Sequence, residues 1–479
     1  MQHLRRIGLA LIFVLTISSA LSAQDPSVLL EKAIYAEETL GNLNEAIGIY
    51  QQIAAAAETN RATAALALYR LGRCYQKSGR AEDAQAAFAK LTKMYPEQKD
   101  LIARIPGSPS KGLEFRPAPW MNGEVLGMVV KVESGSQSGS QFYSVESVQE
   151  AGKTLWKLRE VSGNVGITQH TTLLMDAANF SPTTSIQNSG SYGVFQANYS
   201  PQQVEFVTTR RSSSIKKQLP LDRAVYDYVQ QAHLLRCLPL SEGFQAAILI
   251  SVPEKAAVWE AKIAVVARER VTVPAGTFDC YKVTATEAGQ TRTYWISTDA
   301  HAYLVKEDLS IITLELNSIE TPEKGRPVRF ADSKLGIRLE APYGWLIGNT
   351  KQGSENLISF FGPEAEAEGS MIFMNRKQKE AEDPSLDEMA DKDIASEQRR
   401  YKEFVVRPES RGTTAVSGLN AIRYIADFKE LSSEKERVRY QFSFISPTRG
   451  YEIRFETGKE NFERLRPAFD SIMSSLRVE

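Results

Sequence analysis

Val271-Thr272-Val273-Pro274-Ala275-Gly276-Thr277-Phe278-Asp279-Cys280-Tyr281-Lys282-Val283 carries the reading of the fold. Pro274 presets φ and Gly276 accepts a positive φ, so Pro274-Ala275-Gly276 reads as a tight turn between two β runs. Beyond it, Tyr281 and Val283 alternate inward, Glu287 to Gln290 turns the chain, and Arg292 to Ile296 returns as a strand. Upstream, Gly123 to Val132, Gln141 to Val148, Thr154 to Val161, Thr171–Met175, Gly193–Tyr199 and Val204–Thr209 carry the same β-forming residues, with Ser134 to Ser140 as a flexible hairpin tip. Antiparallel hairpins are the economical arrangement. One helix interrupts them: Leu221, Val225, Tyr228, Val229, Ala232 and Leu235 recur at helical spacing, and the segment ends in Leu235-Arg236-Cys237-Leu238-Pro239-Leu240.

Together the Leu-Arg-x-Leu-Pro-Leu helix end, the Val-Pro-Ala-Gly-x-Phe turn and the Tyr-Trp-Ile-Ser strand resemble an exported bacterial family of unknown function, over roughly residues 113–320. The resemblance implies export and a curved antiparallel sheet or partly open barrel with one packed helix, related in shape to periplasmic lipoprotein carriers. It implies no catalytic residue. A concave apolar face would hold a lipid or small hydrophobic ligand; the plainer reading of Trp259, Tyr281 and Trp295 is core.

Residues 27–104 are rich in Ala, Leu and Glu and reach no proline before Pro96, which suits helices. Gly41 to Ala46 followed by Tyr50 recurs 38 positions later as Gly79 to Ala84 followed by Phe88. The second copy resembles a tetratricopeptide repeat through Leu68, Leu71, Gly72, Tyr75, Ala84, Phe88 and Pro96. Gly72 and Ala84 let two helices approach, and Tyr75 and Phe88 fill the space beside them. Two copies are fewer than a free-standing solenoid needs, so they either dock a protein partner or cap the molecule internally. Ahead of them, Arg5 and Arg6, the apolar run Ile7 to Ile17 and small residues ending at Ala23 read as a secretory signal peptide, cleaved after Ala23 or Ala20 and leaving no transmembrane segment.

At the other end, Gly336 to Glu340 alternates as a strand and Ala341-Pro342-Tyr343-Gly344-Trp345 turns sharply. Ser385-Leu386-Asp387-Glu388 has the form of a capping box opening a helix to about Tyr401. Strands at Ile422–Phe428, Val438–Ile445 and Gly450–Glu456 follow, and Phe462, Leu465, Phe469, Ile472 and Leu476 form the apolar stripe of a closing helix that contains Pro467. This order resembles the PsbP-like fold, whose members mainly bind or assemble with other proteins.

The expected organisation is multidomain: signal peptide 1–23, tetratricopeptide-like α repeats 24–105, linker 106–119, mainly antiparallel β domain 120–317, linker 318–328 and PsbP-like α+β domain 329–479. Composition limits the chemistry. Fifty-seven Lys+Arg against 58 Asp+Glu leave no field to attract nucleic acid. Four His and three Cys supply little for metal clusters, and no nucleotide, hydrolase-elbow or zinc motif occurs. The basic pairs Arg210-Arg211 and Lys216-Lys217 read as a solvated loop. Export permits disulfides: either Cys237 pairs with Cys280, or all three cysteines, Cys74 included, are small buried hydrophobes. The sequence therefore assigns no catalytic, cofactor or metal residue. It points to a non-enzymatic exported protein, periplasmic or extracellular, acting as an interaction or assembly scaffold, with a hydrophobic-ligand carrier as the alternative.

Overall fold

A computed structural model describes residues 25–478 apart from 56–59, 104, 106–112, 165–166, 211–212, 334, 353–354, 364–367, 376–384, 430–434 and 448. The signal peptide read at 1–23 lies outside the described residues. The chain divides into two units, one ending at Ile105 and one starting at Pro106.

The first unit is helical: α1 (Pro26–Glu38), α2 (Leu43–Ala55), α3 (Arg61–Lys77), α4 (Ala81–Met94) and the short α5 (Lys99–Ala103). Asp25 and Asn60 cap α1 and α3 by accepting the N–H groups of Ser27 and Thr63. The repeated glycines serve the turns: Gly41 and Gly79 sit at positive φ between α1 and α2 and between α3 and α4, where a side chain would strain the backbone. Buried Ala, Leu and Tyr side chains fill the contacts between hairpins. Glu37 is the polar exception, accepting from Tyr50 Oη (2.8 Å), Lys77 Nζ (2.7 Å) and Arg70 Nη1 (3.1 Å). It joins α1, α2 and α3. Desolvation raises its pKa, but Lys77, Tyr50 and Arg70 together outweigh that and hold it low.

The second unit begins with a fifteen-stranded sheet. Its first meander is β1 (Glu124–Val132), β2 (Gln137–Glu150), β3 (Lys153–Asn164), β4 (Ile167–Asp176), β5 (Pro182–Asn188), β6 (Val194–Tyr199), β7 (Gln203–Arg210) and β8 (Ser213–Pro220). After β9 (Val225–Asp227) and α6 (Gln231–Cys237) the second meander follows: β10 (Gln245–Val252), β11 (Ala257–Val273), β12 (Gly276–Glu287), β13 (Gln290–Ser297), β14 (Leu304–Asp308) and β15 (Ile312–Glu320). β15 returns to pair with β1, and the order runs β8 to β1, then β15 to β9. Every pairing is antiparallel except β9 with β10. The sheet curls without closing its ladder. Side chains bridge its approaching margins instead: Tyr199 Oη donates to Asp227, Gln187 donates to Glu254, and Lys217 Nζ donates to the Ala256 carbonyl.

Three expectations change here. The helix expected over 221–235 is confined to α6, because Asp227 and Gln230 form a reciprocal cap that starts the helical turn there, while Val225–Asp227 joins the sheet edge. Lys216 and Lys217 lie on strand β8 and not in a loop; charged side chains on an exposed edge protect it from pairing with other chains. Arg210 ends β7, and Arg211 lies outside the described residues. Cys237 and Cys280 are free thiols, as is Cys74, and all three are buried. Of the two readings left open, no Cys237–Cys280 bridge forms, and each sulfur is a small apolar filler; Cys237 and Cys280 share one core cluster, and burial pushes all three thiols up to about 12. The segment 113–119 is also more than a linker, since Phe115 packs edge-on to Phe180 and Tyr226.

The C-terminal α+β part follows in the same unit. Strands Leu346–Gln352, Glu355–Phe361, Glu368–Asn375, Arg449–Gly458, Glu436–Ile445, Leu419–Lys429 and Lys402–Val406 are adjacent in that order, with Gly412–Val416 also on Leu419–Lys429. The Ser385 capping box is present and opens α7 (Leu386–Arg400). α8 (Phe462–Ser475) buries Phe462, Leu465, Phe469 and Ile472 against the face carrying Phe442, Ile453 and Phe455. On the alternate face, buried Arg439 pairs with Glu397 of α7 (2.9 Å) and Glu456 (2.7 Å).

This part is fastened to the curled sheet. Arg159 of β3 donates to the carbonyls of Gly344 (3.0 Å) and Gly362 (2.6 Å), and Gln137 donates to the Asn349 carbonyl (2.9 Å). A side chain on Gly163 would overlap Phe361, and one on Gly348 would overlap Phe142 and Ser140, so both glycines are required by close approach. Phe361 stands edge-on to Phe142 and His170.

Candidate functional site

The concave face of the curled sheet is divided along the strands. Toward the β11–β12 turn it is apolar, with Leu158, Leu173, Ile250, Ile263, Val283, Ile296 and Leu316 packed around α6. Arg236 fixes that helix. Its side chain is fully buried, with Nη1 on Glu124 (2.7 Å), Nε on the Ala302 carbonyl (3.0 Å) and Nη2 on the His301 carbonyl (3.1 Å). Its guanidinium lies 5.5 Å over the Trp120 ring. This is the physical content of the Leu-Arg-x-Leu-Pro-Leu segment. His233 of the same helix stands edge-on to Trp120 and Tyr143, and desolvation with nearby Arg236 holds its pKa far below the usual value, so it is neutral.

Toward the opposite end the same face turns polar and lines an open-mouthed cavity of about 900 Å³. Its rim includes the turns at Pro253–Lys255, Gly289 and Leu309–Ile311. Inside, Glu160 of β3, Glu287 of β12 and Glu307 of β14 face Arg292 of β13, while Glu254 and Lys255 lie at the rim. Gln141 Nε2 donates to Glu160 (3.2 Å) and to Tyr143 Oη (2.6 Å), and Tyr143 Oη donates to Glu307 (3.2 Å). Tyr294 Oη donates to Gln231 (2.8 Å), which donates in turn to Glu287 (3.4 Å). Arg292 lies 4.1 Å over the Tyr228 ring and 3.9 Å from both Glu287 and Glu307.

The electrostatics follow from this crowding. Desolvation first and the neighbouring Glu307 second push Glu160 up to about 8. Desolvation also raises Glu307, against Arg292 and Tyr143, and raises Glu287, against Gln231. The phenols of Tyr143 and Tyr294 are held far above their usual range by burial and by Glu307. Such a chamber can accept hydrogen bonds, stabilise positive charge and hold protons.

Sequence reading finds none of these residues. A signal is present: Leu158, Glu160 and Ser162 share one face of β3, and Tyr294 and Arg292 one face of β13, so charges fall at inward positions of otherwise apolar alternations. Of the residues singled out, Leu71, Gly72, Tyr75, Ala84 and Phe88 do come together, between α3 and α4. A side chain on Gly72 would overlap the Phe88 ring, and Pro96 lies just beyond α4. The histidines His170, His233 and His301 are not brought together. His170 is buried and pushed down to about 3 by desolvation and Arg159, while His301 stacks on Tyr303 in a turn. Among the described residues no group of three His, Cys, Asp or Glu is placed to hold a metal ion.

Comparison with known proteins agrees with a multidomain organisation. A tetratricopeptide repeat model matches residues 66–97, the α3–α4 hairpin, and a model described as a protein of unknown function (DUF3108) matches residues 123–312. No curated protein matches. Similar solved structures include PsbP from the cyanobacterium Synechocystis, at 14% identity over 34% of this chain and 98% of that one, with a TM-score of 0.27. LpqN, involved in cell envelope biogenesis of Mycobacterium tuberculosis, is 12% identical over 33% of this chain and 86% of its own, TM-score 0.23. A β-barrel-like DUF1849 protein from Brucella abortus is 10% identical over 44% of this chain and 100% of its own, TM-score 0.31. Among the described residues no helix is long and apolar enough to cross a membrane.

Proposed function

We propose that the chain is a non-enzymatic, exported protein of the bacterial envelope that acts as an interaction scaffold, receiving a protein partner on its helical repeats. The observation that carries this reading is the α3–α4 hairpin, which meets the tetratricopeptide spacing and is joined to α1–α2 through Glu37. Deleting residues 24–105 is expected to abolish co-purification of a partner from envelope extracts while the remaining residues 106–479 keep their circular dichroism. Undiminished partner recovery would contradict it. The non-enzymatic part is supported by the separate positions of His170, His233 and His301, and a hydrolase screen whose turnover is lost on His233→Ala or His301→Ala would overturn it.

The chamber supports a second activity, binding of a small ligand in the β domain. Its polar lining favours a water-soluble ligand over the lipid expected for an apolar concave face, since α6 fills the apolar end. Native mass spectrometry of the purified protein checks this: a retained acyl lipid would restore the carrier reading.

A further inference from the structure

The chamber's lining specifies the chemistry of its occupant. Three glutamates, Glu160, Glu287 and Glu307, surround Arg292, with Glu254 and Lys255 together at the rim, so carboxyl groups outnumber basic groups in the chamber. Arg292 does not exhaust them: at 3.9 Å from Glu287 and Glu307 it is beyond hydrogen-bond reach of either. Its own setting, lying 4.1 Å over Tyr228 between two carboxylates, displays how this cavity accommodates a planar or ammonium-type cation. A further aromatic wall, Trp259, lines the same space. The acids stand on β3, β12 and β14, and among the described residues no three such groups converge as metal ligands do. Dispersed acceptors with aromatic walls in about 900 Å³ suit a ligand with separated positive centres, not a bare ion.

We propose that the chamber binds a small organic polycation, an aliphatic polyamine or guanidino-amine, whose protonated nitrogens donate hydrogen bonds to the carboxyl groups of Glu160, Glu287 and Glu307. The proposal rests on reading the chamber as a ligand site. The test is calorimetric titration of the full chain with spermidine and with agmatine, alongside an uncharged disaccharide. One-to-one binding of either amine is expected, weakened at least tenfold in the Glu160→Gln, Glu307→Gln double variant and unchanged in the surface control Glu323→Gln. Glutamine preserves shape, and an unaltered circular dichroism spectrum confirms that the double variant folds. Absence of amine binding, or equal binding by the double variant, overturns the proposal. Disaccharide binding that the double variant loses, with no amine binding, would overturn the cation assignment while leaving the chamber a ligand site. Failure of all three probes to bind counts against both.

Discussion

At the scale of single residues, stability depends on charged side chains that the strand pattern hides. Arg236 and Glu124 are a buried pair with side chains 0% and 1% exposed. Removing one partner leaves the other desolvated and unpaired, so Arg236→Met is expected to cost about 3–5 kcal/mol, and the Arg236→Met, Glu124→Gln double variant less than the two single changes combined. Chemical denaturation of the three variants measures this. Glu160 gives a pH dependence. Its folded pKa, pushed up to about 8, lies above the unfolded value, so the folded state holds that proton more tightly. Its contribution is complete below the unfolded pKa and is lost as pH rises through about 8. The melting temperature of the second unit is therefore expected to fall between about pH 5 and 8, and Glu160→Gln to flatten that slope. Glu37 has the opposite sign: its lowered pKa makes the helical unit lose stability as pH falls below the ordinary carboxylate range.

At the scale of elements, legibility depends on whether the deciding interaction is local. The Ser385 capping box is readable because its two bonds, Glu388 N–H to Ser385 Oγ (3.3 Å) and Ser385 N–H to Glu388 Oε2 (2.7 Å), join residues three apart. Ser385→Ala is expected to cost about 1 kcal/mol, read from the unfolding midpoint. The stripe of α8 and the Gly72–Phe88 contact are readable for the same reason, as periodicity and repeat spacing fix them. The segment 221–235 misleads because its apolar spacing fits a helix and a buried edge strand alike, and Asp227 with Gln230 decides where the helix begins. The chamber is illegible because it exists only after fifteen strands curl. An inward glutamate on β3 acquires meaning from β12, β13 and β14, which are remote in the chain.

At the scale of the whole molecule, the sequence shows seams in proline-rich stretches, and the second seam joins parts that are fastened together. Arg159, buried against the carbonyls of Gly344 and Gly362, with Gly163 and Gly348 permitting close approach, couples the curled sheet to the C-terminal α+β part. Arg159→Ala is expected to split one calorimetric unfolding transition of the second unit into two, whereas a single unshifted transition would show that the fastening contributes little. In the scaffold proposed above, the helical repeats receive the partner. This is tested most directly by cross-linking the intact protein in envelope preparations and mapping the linked lysines by mass spectrometry. Cross-links to a single protein partner are expected to concentrate on Lys32, Lys77, Lys90, Lys93 and Lys99 of the helical unit. Partner cross-links confined to lysines of the β sheet or the C-terminal part would contradict it.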